Sequence, residues 1–311
     1  MGCTPEAAGV DPVSPGPWCY DGNPANAYEK MEYQIKKYDK TNANAVIAEG
    51  TLSIELAPVT TDTDDNPLST LTTAFSLTFN DNAPAIDRGK TDTILSTVTL
   101  SSKSLVPTRS QKTVTLADRE NTANQSYTLI NDYVSGVSTL SMPGLNHNST
   151  INFAGVNRLN VYDNDSIYHY LRAYPGMNNS VSGYVKITDF FDMHFRGSYS
   201  PIRIAFASGD SSSEITANIG ATLGEKYLGD STGNVNAFRL DFSIDSDNSG
   251  PPESLYFAKT PFVIKKATVD GEKDQTTSLV LVKIVETEYD YDTASVKYTT
   301  EYTLTNYTAT I

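Results

Sequence analysis

The chain has 311 residues, with 37 acidic and 23 basic side chains and a formal net charge of −14 at neutral pH. This charge disfavours nucleic-acid phosphates and anionic membrane surfaces as partners, and no apolar window is long enough to span a bilayer. Charged residues make up only 19% of the chain, so most polar residues are uncharged Thr, Ser and Asn. Together with 19 Tyr, these residues favour strands joined by turns, and we expect an all-β protein.

Residues 1–23 are predicted to be a coil that a disulfide pins. Cys3 and Cys19 are the two cysteines of the chain, and the segment between them contains four prolines. A short, proline-rich loop between two cysteines suits a disulfide formed in an oxidising compartment. We therefore expect a secreted or cell-surface protein. A lipidated Cys3 at the start of a lipoprotein is the alternative, and it would leave Cys19 unpaired.

A short N-terminal helix is predicted over residues 25–39. Asn23 and Pro24 suit the cap and the first position of a helix. The apolar residues that follow recur at the spacing of one helix face: Tyr28, Met31, Ile35 and Tyr38. Such a stripe would cover the open end or edge of a sheet.

From Gly50 onward the chain reads as strands within a single β domain over residues 24–311. The first alternating segments are Thr51–Ala57, Thr72–Phe79, Thr93–Leu100 and Lys112–Ala117. Residues 149–208 contain short apolar segments at uneven spacing, punctuated by glycines. The pattern predicts an irregular parallel β-helix-like core with long loops, with a large β-sandwich as the alternative. Residues 279–304 predict a C-terminal β-hairpin.

Ser166–Tyr174 is the segment that first indicates a binding surface. Read as a strand, it places Ile167, His169 and Leu171 toward the core and three phenols and a guanidinium on the opposite face. The second set is Tyr168, Tyr170, Arg172 and Tyr174. A phenol ring packs on the apolar face of a sugar and donates a hydrogen bond, so these residues are the predicted carbohydrate site. The alternative is that the row packs under a loop or a neighbouring strand.

No motif predicts catalysis. The three histidines are not at metal-binding spacing, and no nucleophile elbow, phosphate-binding loop or dinucleotide fingerprint occurs. His169 is expected to be a hydrogen-bonded core residue. Glycosidases need a carboxylate pair, and Asp189 and Asp192 are the first pair to inspect, although solvated turn carboxylates explain them better. We therefore predict that the protein is not an enzyme.

The sequence requires no cofactor, and Ca²⁺ is the single candidate ion. Asp245, Asp247 and Ser249 place oxygen atoms at positions 1, 3 and 5 of a loop that has Gly250 at position 6. This is the first half of an EF-hand-type loop, but Tyr256 stands where the bidentate glutamate belongs. An ordinary turn is the competing interpretation.

The chain resembles the C-terminal domains of tapirins, which are secreted, cellulose-binding adhesins on the surface of thermophilic plant-degrading bacteria. The resemblance lies in the predicted helix Tyr28–Tyr38 feeding Ala48–Glu55, the glycine-punctuated region 149–208, the long polar loops and the Tyr/Thr-rich end Tyr298–Ile311. It implies a β-helix core with long loops and non-catalytic adhesion to cellulose. It transfers no binding residue, because no specific motif is shared.

The leading functional hypothesis is adhesion to insoluble polysaccharide, with cellulose as the expected partner, at a bacterial cell surface or on pili. A polysaccharide lyase or glycoside hydrolase on a β-helix is the second hypothesis. A structural subunit of a pilus or fibre is the third.

Overall fold

The protein was analysed as a computed structural model. The residues that it describes are 28–59, 67–102, 105–119, 125–153, 162–172, 183–188, 190–196, 201–206, 215–244, 253–265, 275–290 and 292–310.

The described chain is almost entirely strand. The strands are β1 (Tyr28–Asp39), β2 (Ala45–Pro58), β3 (Leu68–Phe79), β4 (Thr91–Ser101), β5 (Pro107–Thr115), β6 (Tyr127–Asp132), β7 (Val137–Met142), β8 (His147–Asn152), β9 (Tyr162–Asp163), β10 (Gly183–Thr188), β11 (Pro201–Phe206), β12 (Ile215–Asn218), β13 (Asn234–Ile244), β14 (Glu253–Ala258), β15 (Phe262–Lys265), β16 (Gln275–Ser278), β17 (Leu281–Tyr289) and β18 (Val296–Thr310). The helices are α1 (Ile167–Arg172), α2 (Phe190–Arg196) and α3 (Ala221–Leu228), with short 3-10 helices at Pro143–Leu145 and Asn164–Ser166.

Sixteen of these strands form one large sheet, and β15 and β16 form a separate pair. The order in the large sheet is β8-β7-β6-β5-β4-β3-β2-β1-β18-β17-β14-β13-β11-β10-β9, with β12 pairing to β13. All pairs are antiparallel except β9 with β10. Among the described residues β8 and β9 do not pair with each other, so the sheet remains open. The first described strand, β1, lies in the middle of the sheet between β2 and β18.

The sheet has an inner face that carries the core and an outer face that is polar. On β7, for example, Ser138, Leu140 and Met142 are buried while the alternating residues are partly exposed. The helices pack on the inner face. His169 of α1 contacts Glu29 of β1, and Tyr227 of α3 contacts Tyr307 of β18. Phe190 of α2 belongs to an apolar cluster with Leu129 of β6 and Leu140 of β7. The outer face is therefore opposite all three helices.

The predicted parallel β-helix is wrong. A β-helix needs parallel neighbours, whereas β1 to β8 run antiparallel to one another in chain order. The sandwich alternative also fails, because these strands share one sheet. The predicted C-terminal hairpin does form, since β17 and β18 pair from Lys283↔Thr303 to Tyr289↔Val296.

The predicted N-terminal helix over residues 25–39 is also wrong, because Tyr28–Asp39 is strand β1. Met31 and Ile35 lie four positions apart, so they fit one face of a helix and one face of a strand equally well. The strand period is decided by Glu29 and Tyr33, which are buried with them at 2% and 1% exposure. The sequence did not reveal this alternation, because Glu29 is acidic and acidic residues are rarely buried in a core.

The described part of the predicted strand Ser166–Tyr174, residues 166–172, is not a strand either. Ile167–Arg172 forms α1, preceded by a 3-10 turn in which the Asp163 carboxylate accepts a hydrogen bond from the backbone N–H of Asp165. That cap starts a helix rather than a strand. Phe190–Phe195, one of the short apolar segments within residues 149–208 that read as strands, likewise lies in α2.

Candidate functional site

The predicted carbohydrate-binding residues that the structure describes lie on a helix and not on a strand face. Tyr168 lies on α1 and its hydroxyl donates a hydrogen bond to Glu253 on β14, at 2.7 Å. Tyr170 and Arg172 belong to the same helix, and only their backbone is described. Tyr174 lies outside the described residues. A row of phenols along one strand is therefore absent from this part of the described chain, because the segment is helical.

Several other predicted residues also lie outside the described residues. They are Cys3, Cys19, Asp189, Asp245, Asp247 and Ser249. Asp192 lies on α2, where its side chain is not described. Among the described residues no group of three or more His, Cys, Asp or Glu side chains is placed to hold a metal ion.

The segment around α1 is attached to the inner face by polar contacts at its start. The Tyr133 hydroxyl donates to Asp163 Oδ2 at 2.6 Å, and both residues are buried. Asp165 accepts from Ser96 Oγ of β4 at 2.5 Å and from Lys112 Nζ of β5 at 2.8 Å. Burial raises the pKa of Asp163, and the nearby charge of Asp165 adds to the rise. Burial acts to lower the pKa of Lys112, but the carboxylate of Asp165 outweighs it and the net shift is upward.

A second polar group links α1 to the middle of the sheet. Tyr168 donates to Glu253, while Tyr302 of β18 donates to Glu286 Oε2 of β17 at 2.9 Å. Burial, together with the charge of Glu286, raises the pKa of Glu253 to about 8. Burial also raises the pKa of Glu286, although the nearby Lys37 opposes the rise. Ionising Glu253 and Glu286 at the same time near neutral pH is therefore unfavourable.

A third group fastens the centre of α1 to β1. His169 is 1% exposed, as predicted for a core histidine, although it lies on a helix. Its Nε2 is 3.2 Å from Glu29 Oε2, and the Tyr307 hydroxyl donates to Glu29 Oε1 at 2.6 Å. All three side chains are buried, so the group holds the helix in place and offers no surface to a substrate.

Ser138 and His194 form a contact that resembles a catalytic dyad, but its hydrogen bonding differs. The Ser138 hydroxyl donates to Asn131 Oδ1 at 2.6 Å, and His194 Nε2 lies 2.9 Å from the same hydroxyl oxygen. A hydroxyl has one proton to give, so the histidine N–H must donate to the serine oxygen. Burial lowers the pKa of His194, and His147 adds to the shift. Because Ser138 is 0% exposed, this contact anchors α2 to β7.

The outer face of β3 to β8 carries side chains in two rows that cross six strands. The pairing register places these residues next to one another, one from each strand. Row A is Thr72, Thr97, Gln111, Ile130, Thr139 and Thr150. Row B is Ala74, Leu95, Thr113, Thr128, Ser141 and Asn148. We call the two rows together the threonine face.

The threonine face is uncharged and accessible. None of its twelve residues is acidic or basic, and each is partly or fully exposed. Hydroxyl and amide groups supply hydrogen-bond donors and acceptors, and the threonine methyls supply small apolar contacts. Leu95 near the middle is 53% exposed. In a chain of net charge −14, such a band fits a neutral, hydroxyl-rich ligand better than an ion.

Sequence reasoning predicted strands over Thr72–Phe79, Thr93–Leu100 and Lys112–Ala117, which overlap β3, β4 and β5, but it predicted neither β6 and β7 nor the face itself. The rows depend on register between strands, as in Thr72↔Thr97 and Gln111↔Ile130. Register across a sheet comes from long-range pairing, which a single sequence does not state.

Comparisons with known proteins support the fold and leave the function open. No protein-family model and no curated protein matches the chain. A crystal structure of a β-barrel-like protein of a domain of unknown function, DUF1849, from Brucella abortus is similar to it. The TM-score is 0.51 at 9% sequence identity, and the match covers 91% of this chain and 98% of that chain. At this identity the similarity shows the fold alone.

The described helices are short. The longest α-helix, α3, has 8 residues, and none of the helices in the described ranges is long and apolar enough to cross a membrane.

Proposed function

We propose that this protein is a non-catalytic adhesin for insoluble, neutral polysaccharide, secreted or held at a cell surface. The observation that carries the proposal is the threonine face, which is the uncharged band of hydroxyl and amide groups on the outer side of β3 to β8. Cellulose is the first polysaccharide to test, because the sequence resembles the cellulose-binding tapirins.

The chemistry of the face supports a sugar ligand. Sugars present hydroxyl groups around apolar C–H surfaces, and threonine side chains offer a hydroxyl and a methyl to match both. Hydroxyl contacts of this kind are individually weak, because each replaces a hydrogen bond to water. An adhesive surface therefore needs many of them at once, and the threonine face provides twelve adjacent positions.

The sheet also provides a rigid support. β4 and β5 are hydrogen bonded on both sides, and their inner faces are covered by the segment that contains Asp163 and Asp165. A rigid support reduces the entropy lost on binding, so weak contacts contribute more of their interaction energy.

The test is depletion of the soluble protein by microcrystalline cellulose. We expect the wild-type protein to be depleted and the double variant Thr97→Lys with Thr139→Lys to remain in solution. The two lysines break the uncharged band at two strands and replace two hydroxyl contacts. Both positions lie on the solvent side of their strands, so folding should be retained, and circular dichroism checks this.

The matched control is Thr216→Lys on β12, an exposed strand threonine outside the threonine face. It makes the same chemical change and should leave depletion unchanged. Failure of the wild-type protein to bind cellulose and other neutral insoluble polysaccharides would refute the proposal. Release of reducing or unsaturated sugars during the assay would replace it with an enzymatic function.

A further inference from the structure

The last turn of α2 is attached to the sheet by two neighbouring residues, His194 and Phe195. His194 Nε2 lies 2.9 Å from the hydroxyl oxygen of Ser138 on β7. The ring of Phe195 stacks on the ring of His147, the first residue of β8, with 5.5 Å between the ring centroids. Both attachments therefore include an imidazole, which is the side chain that ordinarily takes up a proton between pH 5 and pH 8.

The hydrogen bonds around His194 leave its second ring nitrogen without a partner. Ser138 gives its proton to Asn131, so the Nε2–H of His194 is the donor to Ser138. In neutral His194 the Nδ1 atom therefore carries no proton. This atom is buried, and no described residue is within hydrogen-bond reach of it. A proton added to His194 must go to Nδ1, where it meets no acceptor.

His147 has a similar feature. Its Nε2 atom is also buried and has no hydrogen-bond partner in the described part of the chain. Burial, and to a smaller extent the charge of His147, lowers the pKa of His194. The attached helix therefore tolerates neutral imidazoles better than imidazolium ions.

The groups around α2 offer little compensation for a positive charge. From the sheet, the titratable side chains packed on α2 are Tyr127, Tyr133 and His147. Neither phenol is charged at neutral or acid pH. α2 itself contains Asp192 and Arg196, whose side chains are not described. An imidazolium on α2 therefore gains no ion pair from a described side chain.

The remaining histidine shows the opposite arrangement. His169 on α1 has Glu29 Oε2 at 3.2 Å from its Nε2, so a proton on this imidazole would form an ion pair. His194 and His147 have no such carboxylate among the described residues. Acid should therefore weaken the attachment of α2 and not that of α1 at His169.

We propose that α2 is an acid-sensitive element: protonation of His194, and of His147 beside it, loosens the attachment of α2 to β7 and β8. The opening exposes the apolar cluster that Phe190 shares with Leu129 and Leu140. Neutral imidazoles favour the attached helix above their ordinary pKa of about 6.5. Below this pH the opened helix binds protons more readily, so its population rises as the pH falls. This inference does not depend on polysaccharide binding.

Hydrogen exchange, followed by mass spectrometry on the full chain at pH 7 and at pH 5, tests the proposal. After correction for the intrinsic effect of pH on exchange, the amides of α2 should exchange severalfold faster at pH 5. The amides of α3, which contains no histidine, are the internal reference and should keep their protection. Equal protection of α2 at the two pH values, or an equal loss in α2 and α3, overturns the proposal.

Three variants assign the response to named groups. His194→Gln keeps an N–H donor for Ser138 but takes up no proton, so α2 should stay protected at pH 5. His147→Phe keeps an aromatic ring against Phe195 and should reduce the response. Ser138→Ala is the matched control, because it removes a contact without removing a titrating group. It should speed exchange of α2 at both pH values and leave the acid response in place. A full response in His194→Gln overturns the proposal.

A proton NMR titration of the wild-type histidines gives a check that does not depend on how the variants fold. One imidazole should titrate below the ordinary pKa of about 6.5, because burial lowers the pKa of His194. The opening of α2 should follow the same transition. An opening that coincides with no histidine titration would belong to another group and would contradict the proposal.

Discussion

Glu253 and Glu286 are carboxyls whose protonation bears directly on the folded state. Each accepts a hydrogen bond from a tyrosine, Tyr168 and Tyr302 respectively, and each affects the ionisation of the other. A proton held by the pair removes the repulsion between two partly buried charges. The hydrogen bond from Tyr168 of α1 favours the ionised form of Glu253 and so partly opposes the rise in its pKa.

The first prediction concerns stability against pH. The pKa of Glu253 is raised from 4.5 to about 8 on folding, so between these values the folded state keeps a proton that the unfolded state has lost. The free energy of unfolding should therefore fall as pH rises from about 5 to about 8, by up to about 1.4 kcal/mol per unit. Thermal unfolding across this range measures the slope.

Glu253→Gln should flatten that dependence, because glutamine mimics the protonated acid at every pH. At pH 8 this variant should unfold at a higher temperature than the wild-type protein. Glu49→Gln, on an exposed side chain of β2, is the matched control and should leave the slope unchanged. An identical slope in Glu253→Gln and wild type would show that Glu253 does not titrate in this range.

At the residue scale, sequence reasoning predicted the burial of His169 but not its partners. Its neighbour Glu29 also accepts a hydrogen bond from Tyr307, and Glu29 and Tyr307 are 278 positions apart in the chain. Tyr168 and Glu253 are separated by 85 positions. Such pairs form only when segments that are far apart in the chain come together, and no local pattern of residue types predicts them.

At the element scale, polar contacts attach α1 and the turn before it to the sheet. A helix of 6 residues gains little from its own hydrogen bonds. Among its described side chains, Ile167 and Tyr168 contact the apolar core. The ion pair between Lys112 and Asp165 fixes the preceding turn to β5, and its side chains are 17% and 15% exposed.

The second prediction is that Lys112→Met lowers the free energy of unfolding by roughly 3 kcal/mol, because it leaves the Asp165 carboxylate poorly compensated. Asp165→Asn should have a similar effect, since the ammonium then lacks its partner. The double variant should be less destabilised than the sum of the two single variants. Chemical denaturation of the four proteins measures the coupling, and strict additivity would argue that the ion pair contributes nothing.

The third prediction concerns the loop that contains Asp245, Asp247 and Ser249, which lies outside the described residues. If it binds Ca²⁺, the ion stabilises the native state by mass action. The melting temperature should then be higher in millimolar Ca²⁺ than in EDTA, and Asp245→Asn should abolish the difference. An unchanged melting temperature would identify the loop as an ordinary turn.

Two elements, β1 and α1, were misassigned because their residue spacing over a short segment fits both a helix and a strand. In β1, Met31 and Ile35 satisfy the helical and the strand period at once, and the polar Glu29 interrupts the visible alternation. In α1, alternation over a few residues suggested a strand, but the Asp163 cap starts a helix. By contrast, the long alternation in 279–304 covers two strands and a turn, and the hairpin was predicted correctly.

At the scale of the whole molecule, charge and the proposed binding surface are separated. The net charge of −14 belongs to residues outside rows A and B. Adhesion through the threonine face should therefore involve few ionic contacts. The all-β class followed from composition, but the single sheet did not, because strand order depends on register and on connections between distant segments.

The fourth prediction is that cellulose binding is insensitive to salt. From about 0.1 M to about 1 M NaCl the screening length falls from about 10 Å to about 3 Å, which would weaken any attraction between exposed charges. Depletion by cellulose should stay constant over this range. A steep loss of binding with salt would indicate that charged residues, and not the threonine face, make the contact.

The position of β1 in the middle of the sheet has a consequence for folding kinetics. β1 pairs along its whole length with β18, from Tyr28↔Thr310 to Asp39↔Tyr298, so its second neighbour is the last described strand of the chain. During synthesis β1 and β2 can associate early, while the other edge of β1 waits until β18 has emerged. Closing so long a loop is slow, as it is for other β proteins dominated by non-local contacts. We therefore expect the joining of β1 to β18 to limit the folding rate, and the nascent chain to present an unpaired strand edge until that step is complete.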